Sequence, residues 1–221
     1  MTDTPLAIPH ADGPAIEAVV SEPDGDAWAT VALAHGAGAG KDHAFMVGMA
    51  HALADSGLRV VRFDFPYVTA GRRFPDRAPA AIAAWRSVAD AARALGDVPF
   101  VAAGKSFGGR MATMAVAEGL PADALVSLGY PLHAPGKPER LRDEHLYGMT
   151  TPHRIVQGTN DPFSSGDLLE GVVARIGPSA SIDAVEGGGH SFEVAGRKRT
   201  PDVVAAELAP RVVEWLRATV G

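Results

Sequence analysis

At 221 residues and 47% hydrophobic, the chain can bury a sizeable core, and its scattered Gly and Pro show neither a repeat period nor a low-complexity tract. A formal net charge of −6 argues against nucleic acid or an anionic membrane as the main partner. The lack of cysteine excludes disulfides, thiolate chemistry and Cys-ligated metals.

The first residues, Met1-Thr2-Asp3-Thr4-Pro5-Leu6-Ala7, carry neither the basic nor the apolar region of a secretion signal. No run approaches a membrane span, so a cytoplasmic protein is expected. Short apolar runs bounded by Gly or Pro predict strands over Ile16–Val20, Thr30–Ala34, Arg59–Phe63, Phe100–Ala103, Ala124–Leu128, Arg154–Gln157 and Ser181–Val185. Between them, apolar residues recur at helical spacing. Phe45, Met49, Ala52 and Leu53 mark one stripe; Ile82, Trp85, Val88, Ala92 and Leu95 mark the next. Arg110–Ala117 reads as a helix, as does the stretch bearing Leu168, Leu169, Val172, Val173 and Ile176. A last helix opens at Thr200-Pro201-Asp202 and carries Val204, Leu208, Val212, Trp215 and Leu216, with Pro210 expected to kink or split it. The β-α alternation from Thr30 onward predicts an α/β fold: a largely parallel sheet with helices on both faces and an antiparallel edge at Ile16. No linker divides residues 1–221, which therefore read as one domain.

In such sheets, sites gather at the carboxyl ends of the strands. After the strand at Phe100 comes Gly104-Lys105-Ser106-Phe107-Gly108-Gly109, then a helix. Strand, G-x-S-x-G, helix is the context of a nucleophile elbow, with Ser106 at its tip and small residues where the chain must pass close to itself. A serine hydroxyl needs a base, and that base needs an orienting acceptor. The next strand ends run into two suitable loops. Asp161 lies in Gly158-Thr159-Asn160-Asp161-Pro162, and His190 lies in Gly187-Gly188-Gly189-His190-Ser191. The order Ser, Asp, His is the one this elbow calls for. The other histidines are less suitable: His153 begins a strand at the wrong end of the sheet, and His35 is better placed to brace its own loop.

The backbone N–H of Phe107 is one expected oxyanion donor. The second is expected from His35-Gly36-Ala37-Gly38, with Ala37 the first choice and Gly38 the next. Gly40-Lys41 and Gly104-Lys105-Ser106 look like pieces of a phosphate-binding loop, but His35 and Pro99 stand where that motif needs glycine. Lys41 likewise breaks a dinucleotide-binding pattern. No His pair has zinc-ligand spacing, so neither cofactor nor metal is expected.

With these motifs the chain resembles an α/β-hydrolase over nearly its whole length. Arg62-Phe63-Asp64-Phe65-Pro66-Tyr67 followed by Gly71-Arg72-Arg73-Phe74-Pro75-Asp76 is similar to a compact group near the dienelactone hydrolases. That group shares a domain with a eukaryotic testis-expressed protein and a subunit of a histone acetyltransferase complex. Dienelactone hydrolases proper use a cysteine nucleophile; here serine stands in that place, so their substrate does not transfer.

The resemblance and the triad residues together imply a serine hydrolase, with a small-molecule ester as partner. A thioesterase, peptidase or perhydrolase would use the same residues, and a non-catalytic scaffold would keep the fold. The segment Tyr130–Thr151, where lids are often inserted, is about twenty residues, too short for a cap domain. An open site suits small or short-acyl esters. Arg72, Arg73, Lys105 and Arg110 add positive charge that either selects an anionic substrate or is neutralised by carboxylates such as Asp64 and Asp76. Oligomeric state is left open.

Overall fold

The apolar runs become strands of one eight-stranded sheet in the computed structural model, which describes residues 2–221. In chain order the strands are β1 (Thr2–Ile8), β2 (Ile16–Glu22), β3 (Ala29–Ala34), β4 (Leu58–Phe63), β5 (Phe100–Lys105), β6 (Ala124–Leu128), β7 (His153–Gly158) and β8 (Ala180–Val185). Their spatial order is β1-β2-β4-β3-β5-β6-β7-β8. β1 and β2 run antiparallel, β2 is antiparallel to β4, and every pair from β4 to β8 is parallel. β3, β5 and β6 are buried at every position, as parallel strands covered on both faces must be.

The helices are α1 (Ala44–Asp55), α2 (Pro66–Thr69), α3 (Ala78–Arg93), α4 (Phe107–Ala117), α5 (Gly166–Ile176) and α6 (Pro201–Val220). Strand side chains alternate between faces. Ala32, Ala34, Val61, Phe63 and Ala102 pack with Trp85 and Val88 of α3 and Met111 of α4. Val31, Leu33, Val60, Val101 and Ala103 pack with Phe45 and Met49 of α1 and Leu208 and Leu216 of α6. Each fully buried large apolar side chain, such as Phe63 or Met49, contributes about 1.5–3 kcal/mol.

The sheet edge and the last helix differ from what the sequence predicts. β2 is not the edge, because β1 pairs along its length from Thr2↔Glu22 to Ile8↔Ile16. β1 is mostly exposed and only Ile8 is buried, so apolar patterning does not reveal it. Its anchor is polar: the Asp3 carboxylate accepts from Ser21 Oγ at 2.6 Å, Arg62 Nη2 at 2.6 Å and His51 Nε2 at 3.2 Å. Pro210 does not split α6, which runs unbroken from Pro201 to Val220. Pro210 and Ala206 are both exposed, so the carbonyl that loses its helical partner faces water.

Candidate active site

Ser106 sits between β5 and α4 with φ 50° and ψ −114°, a conformation rare for a residue with a side chain. The turn is held by close backbone approach. A Cβ on Gly108 would lie 2.6 Å from the carbonyl oxygens of Ala34 and His35, and one on Gly104 would lie 2.5 Å from the Gly108 carbonyl carbon. Only glycine fits at either position. Ser106 is the N-cap residue of α4, yet its hydroxyl makes no capping bond. It is instead 2.8 Å from His190 Nε2.

His190 Nδ1 is 2.7 Å from Asp161 Oδ2. An ionised carboxylate only accepts, so Nδ1 carries the proton and Nε2 is left to accept from Ser106. The Asp161 side chain is fully buried. Its other bonds come from Gln157 Nε2 at 2.6 Å and the Phe163 N–H at 2.8 Å. Gln157 in turn accepts the Tyr130 N–H at 2.8 Å, tying the carboxylate to the loop after β6. Phe163 lies against the imidazole, with ring centroids 4.2 Å apart. The His190 loop closes on the end of β7, where a Cβ on Gly158 would lie 2.5 Å from the Gly189 carbonyl oxygen.

Lys105, the residue before the serine, is buried, and its ammonium donates to the His190 carbonyl at 2.6 Å. Burial pushes its pKa down to about 8, against the opposing charges of Asp161 and Glu193. Its Nζ also lies 5.4 Å from the ring centroid of Phe192, a buried residue with φ 62° two positions after His190 in the same loop.

On the other side of Ser106, His35 is fully buried. Its Nε2 accepts the Phe65 N–H at 3.1 Å, so Nδ1 donates to the Gly36 carbonyl at 2.8 Å. Burial lowers its pKa, in keeping with a neutral brace rather than a base. The Ala37 and Phe107 N–H groups donate to no acceptor among the described residues. Gly38, the second choice, donates to the Tyr67 hydroxyl at 3.3 Å. Ala37, Ser106, Phe107 and His190 line one cavity of about 570 Å³.

The segment between β6 and β7 forms no helical cap. It contains one short 3-10 turn, Glu144–Leu146, and its Tyr130, Leu132 and Leu146 are buried against Ile155, Leu169 and Val172. Of the four flagged cations, Arg72 pairs with Asp76 at 2.5 Å. Neither Arg72 nor Arg73 lines the cavity, whereas Lys105 and Arg110 do. Sequence reasoning missed Gln157, Phe163 and Arg142, a further cavity-lining residue. The position of Gln157 at the end of β7, just before Asp161, was the one available signal. Arg142 lies in an irregular stretch without a motif.

A family model described as an alpha/beta hydrolase domain matches residues 27–217, and the chain belongs to that family. Similar solved structures include an alpha-beta serine hydrolase homologue from Coxiella burnetii, with TM-score 0.77, 21% identity and 98% of each chain covered. A serine hydrolase without a lid from Xanthomonas campestris has TM-score 0.77 and 20% identity over 96% of this chain and 94% of its own. A dienelactone hydrolase from Anabaena variabilis has TM-score 0.75 and 19% identity over 100% of this chain and 99% of its own. No helix among the described residues is long and apolar enough to cross a membrane.

Proposed function

We propose that the protein is a carboxylesterase acting on small or short-acyl esters through Ser106, His190 and Asp161. The observation that carries this is the unbroken hydrogen-bond chain from Ser106 Oγ through His190 to Asp161, beside two N–H groups without acceptors. Ser106 Oγ attacks the ester carbonyl as its proton passes to His190 Nε2. Asp161 keeps the imidazole in the required tautomer and stabilises its cation. The Ala37 and Phe107 N–H groups bind the carbonyl oxygen as it becomes an oxyanion, an interaction worth about 3–4 kcal/mol per donor. Collapse of the tetrahedral intermediate expels the alcohol, which takes the proton from His190 and leaves an acyl-serine. Water then gives its proton to His190, attacks the acyl carbon, and releases the acid as Oγ recovers a proton. The uncapped cavity favours small esters over long lipids.

Hydrolysis of a panel of short chromogenic acyl esters tests this. Ser106→Ala is expected to lose activity by a factor on the order of 10⁶ with Tm retained. Equal turnover by the variant would refute the assignment. Absence of turnover by a folded wild type would favour a hydrolase-like scaffold.

A further inference from the structure

The protein neutralises most of its inward-turned arginines. Arg59 pairs with Glu22, Arg62 with Asp3, Arg199 with Glu207 and Arg211 with Asp183. Arg110 and Arg142 are different. Both line the cavity beside Ser106, and neither side chain has an ion pair or hydrogen bond among the described residues. The Arg110 Nε is buried and donates to nothing. Arg110 lies in the first turn of α4, and its N–H donates to the Ser106 carbonyl at 3.0 Å, which keeps it within about one helical turn, roughly 6 Å of rise, of the serine.

Both guanidiniums border the same cavity, and no carboxylate among the described residues pairs with either. Burial depresses the Arg110 pKa; Tyr130 opposes this, and the Arg142 charge adds to it. The nearby His145 is held at a pKa of about 4 by burial and by Arg110, so it is neutral at pH 7. Glu193 is the cavity's one carboxylate among the described residues. It is engaged on the His190 loop, accepting the Ser191 N–H at 2.9 Å. Two half-buried, unpaired guanidiniums beside one cavity, in a chain of net charge −6, are an arrangement that an entering anion would stabilise.

We propose that Arg110 and Arg142 form a subsite for an ionised carboxylate, so that the ester attacked by Ser106 carries a second, free carboxyl group. This rests on the acyl-transfer role of Ser106. A guanidinium fork matches the two oxygens of a planar carboxylate, and such a ligand would satisfy the buried Nε–H while separating the like charges. The short rise along α4 suits a half-ester of a short dicarboxylic acid.

The test compares kcat/KM for the p-nitrophenyl half-ester of succinate with that of its methyl-capped counterpart. A second pair, the acetates of 4-hydroxybenzoate and of methyl 4-hydroxybenzoate, places the charge on the leaving group. Wild type is expected to prefer the charged member of at least one pair by about tenfold or more, a preference that falls with added salt. The ratio is expected to approach one in Arg110→Gln and Arg142→Gln and to survive in part in Arg110→Lys. Because it is a ratio, a general loss of activity cancels. A wild type that hydrolyses the neutral members equally well overturns the subsite and leaves the hydrolase intact, as does a ratio that persists in both glutamine variants. Failure to hydrolyse any of the four esters overturns the acyl-transfer role, and the subsite falls with it.

Discussion

Ser106 is held in a backbone conformation that costs about 1–3 kcal/mol, and the strain is what lifts its hydroxyl away from the helix cap and toward His190. The neighbouring Lys105 makes that alignment depend on a buried charge, because its ammonium holds the carbonyl of His190. Lys105 is thus a positioning residue. Its pKa of about 8 lies below the usual 10.5, so the folded state gives up this proton first. Between about pH 8 and 10.5 the group therefore favours folding as pH rises, while the charged grip on His190 is lost from about pH 8 upward. Wild-type kcat/KM is expected to fall above about pH 8 without a matching fall in Tm from this group. Lys105→Met should lower kcat by about tenfold, remove that alkaline limb, and leave Tm at neutral pH little changed, since the lost bond to the His190 carbonyl is offset by removal of a buried charge. A variant with the wild-type alkaline limb would show that Lys105 does not set it.

Among the elements, β1 has the least apolar support, with one buried residue in seven. Asp3 joins it to Ser21, Arg62 and His51. Burial alone would raise the Asp3 pKa, but the bonds from Ser21 and His51 and the Arg62 charge outweigh it, and the pKa is lowered. A depressed carboxylate pKa contributes stability above the unfolded value, near 3.8, that is lost as pH falls through the folded value. Asp3→Ala is expected to lower Tm at pH 7 by about 2–4 °C, for a loss of about 1 kcal/mol. The difference should close as wild type is taken to about pH 3 and below. An equal deficit at pH 7 and pH 2.5 would mean that the carboxylate's charge is not the anchor. The polar register of β1 also explains why its sequence does not advertise a strand. The central strands do so readily, because burial on both faces leaves almost only apolar residues along them, Thr30 of β3 and Ser127 of β6 being the exceptions.

Over the whole molecule, the sheet from β3 to β8 and the convergence of Ser106, Asp161 and His190 are legible in sequence for one reason. Strand order brings residues far apart in the chain to one edge, and each of the three follows a recognisable apolar run. Residues that act through packing are not legible in this way. Gln157 matters because its side chain bridges Asp161 and the loop after β6. Arg142 reaches the cavity because the segment between β6 and β7 packs on α5 and β7. Charge was legible only as a count: Arg72 is matched by Asp76, Arg110 is unmatched, and only the fold distinguishes them. The proposed chemistry turns on whether Ser106 Oγ is an activated nucleophile. Intact-mass analysis after exposure to a fluorophosphonate measures this directly. One adduct per chain, mapped to Ser106 and absent from Ser106→Ala, is predicted; a folded wild type that takes up no adduct, or takes it up at another residue, would contradict it.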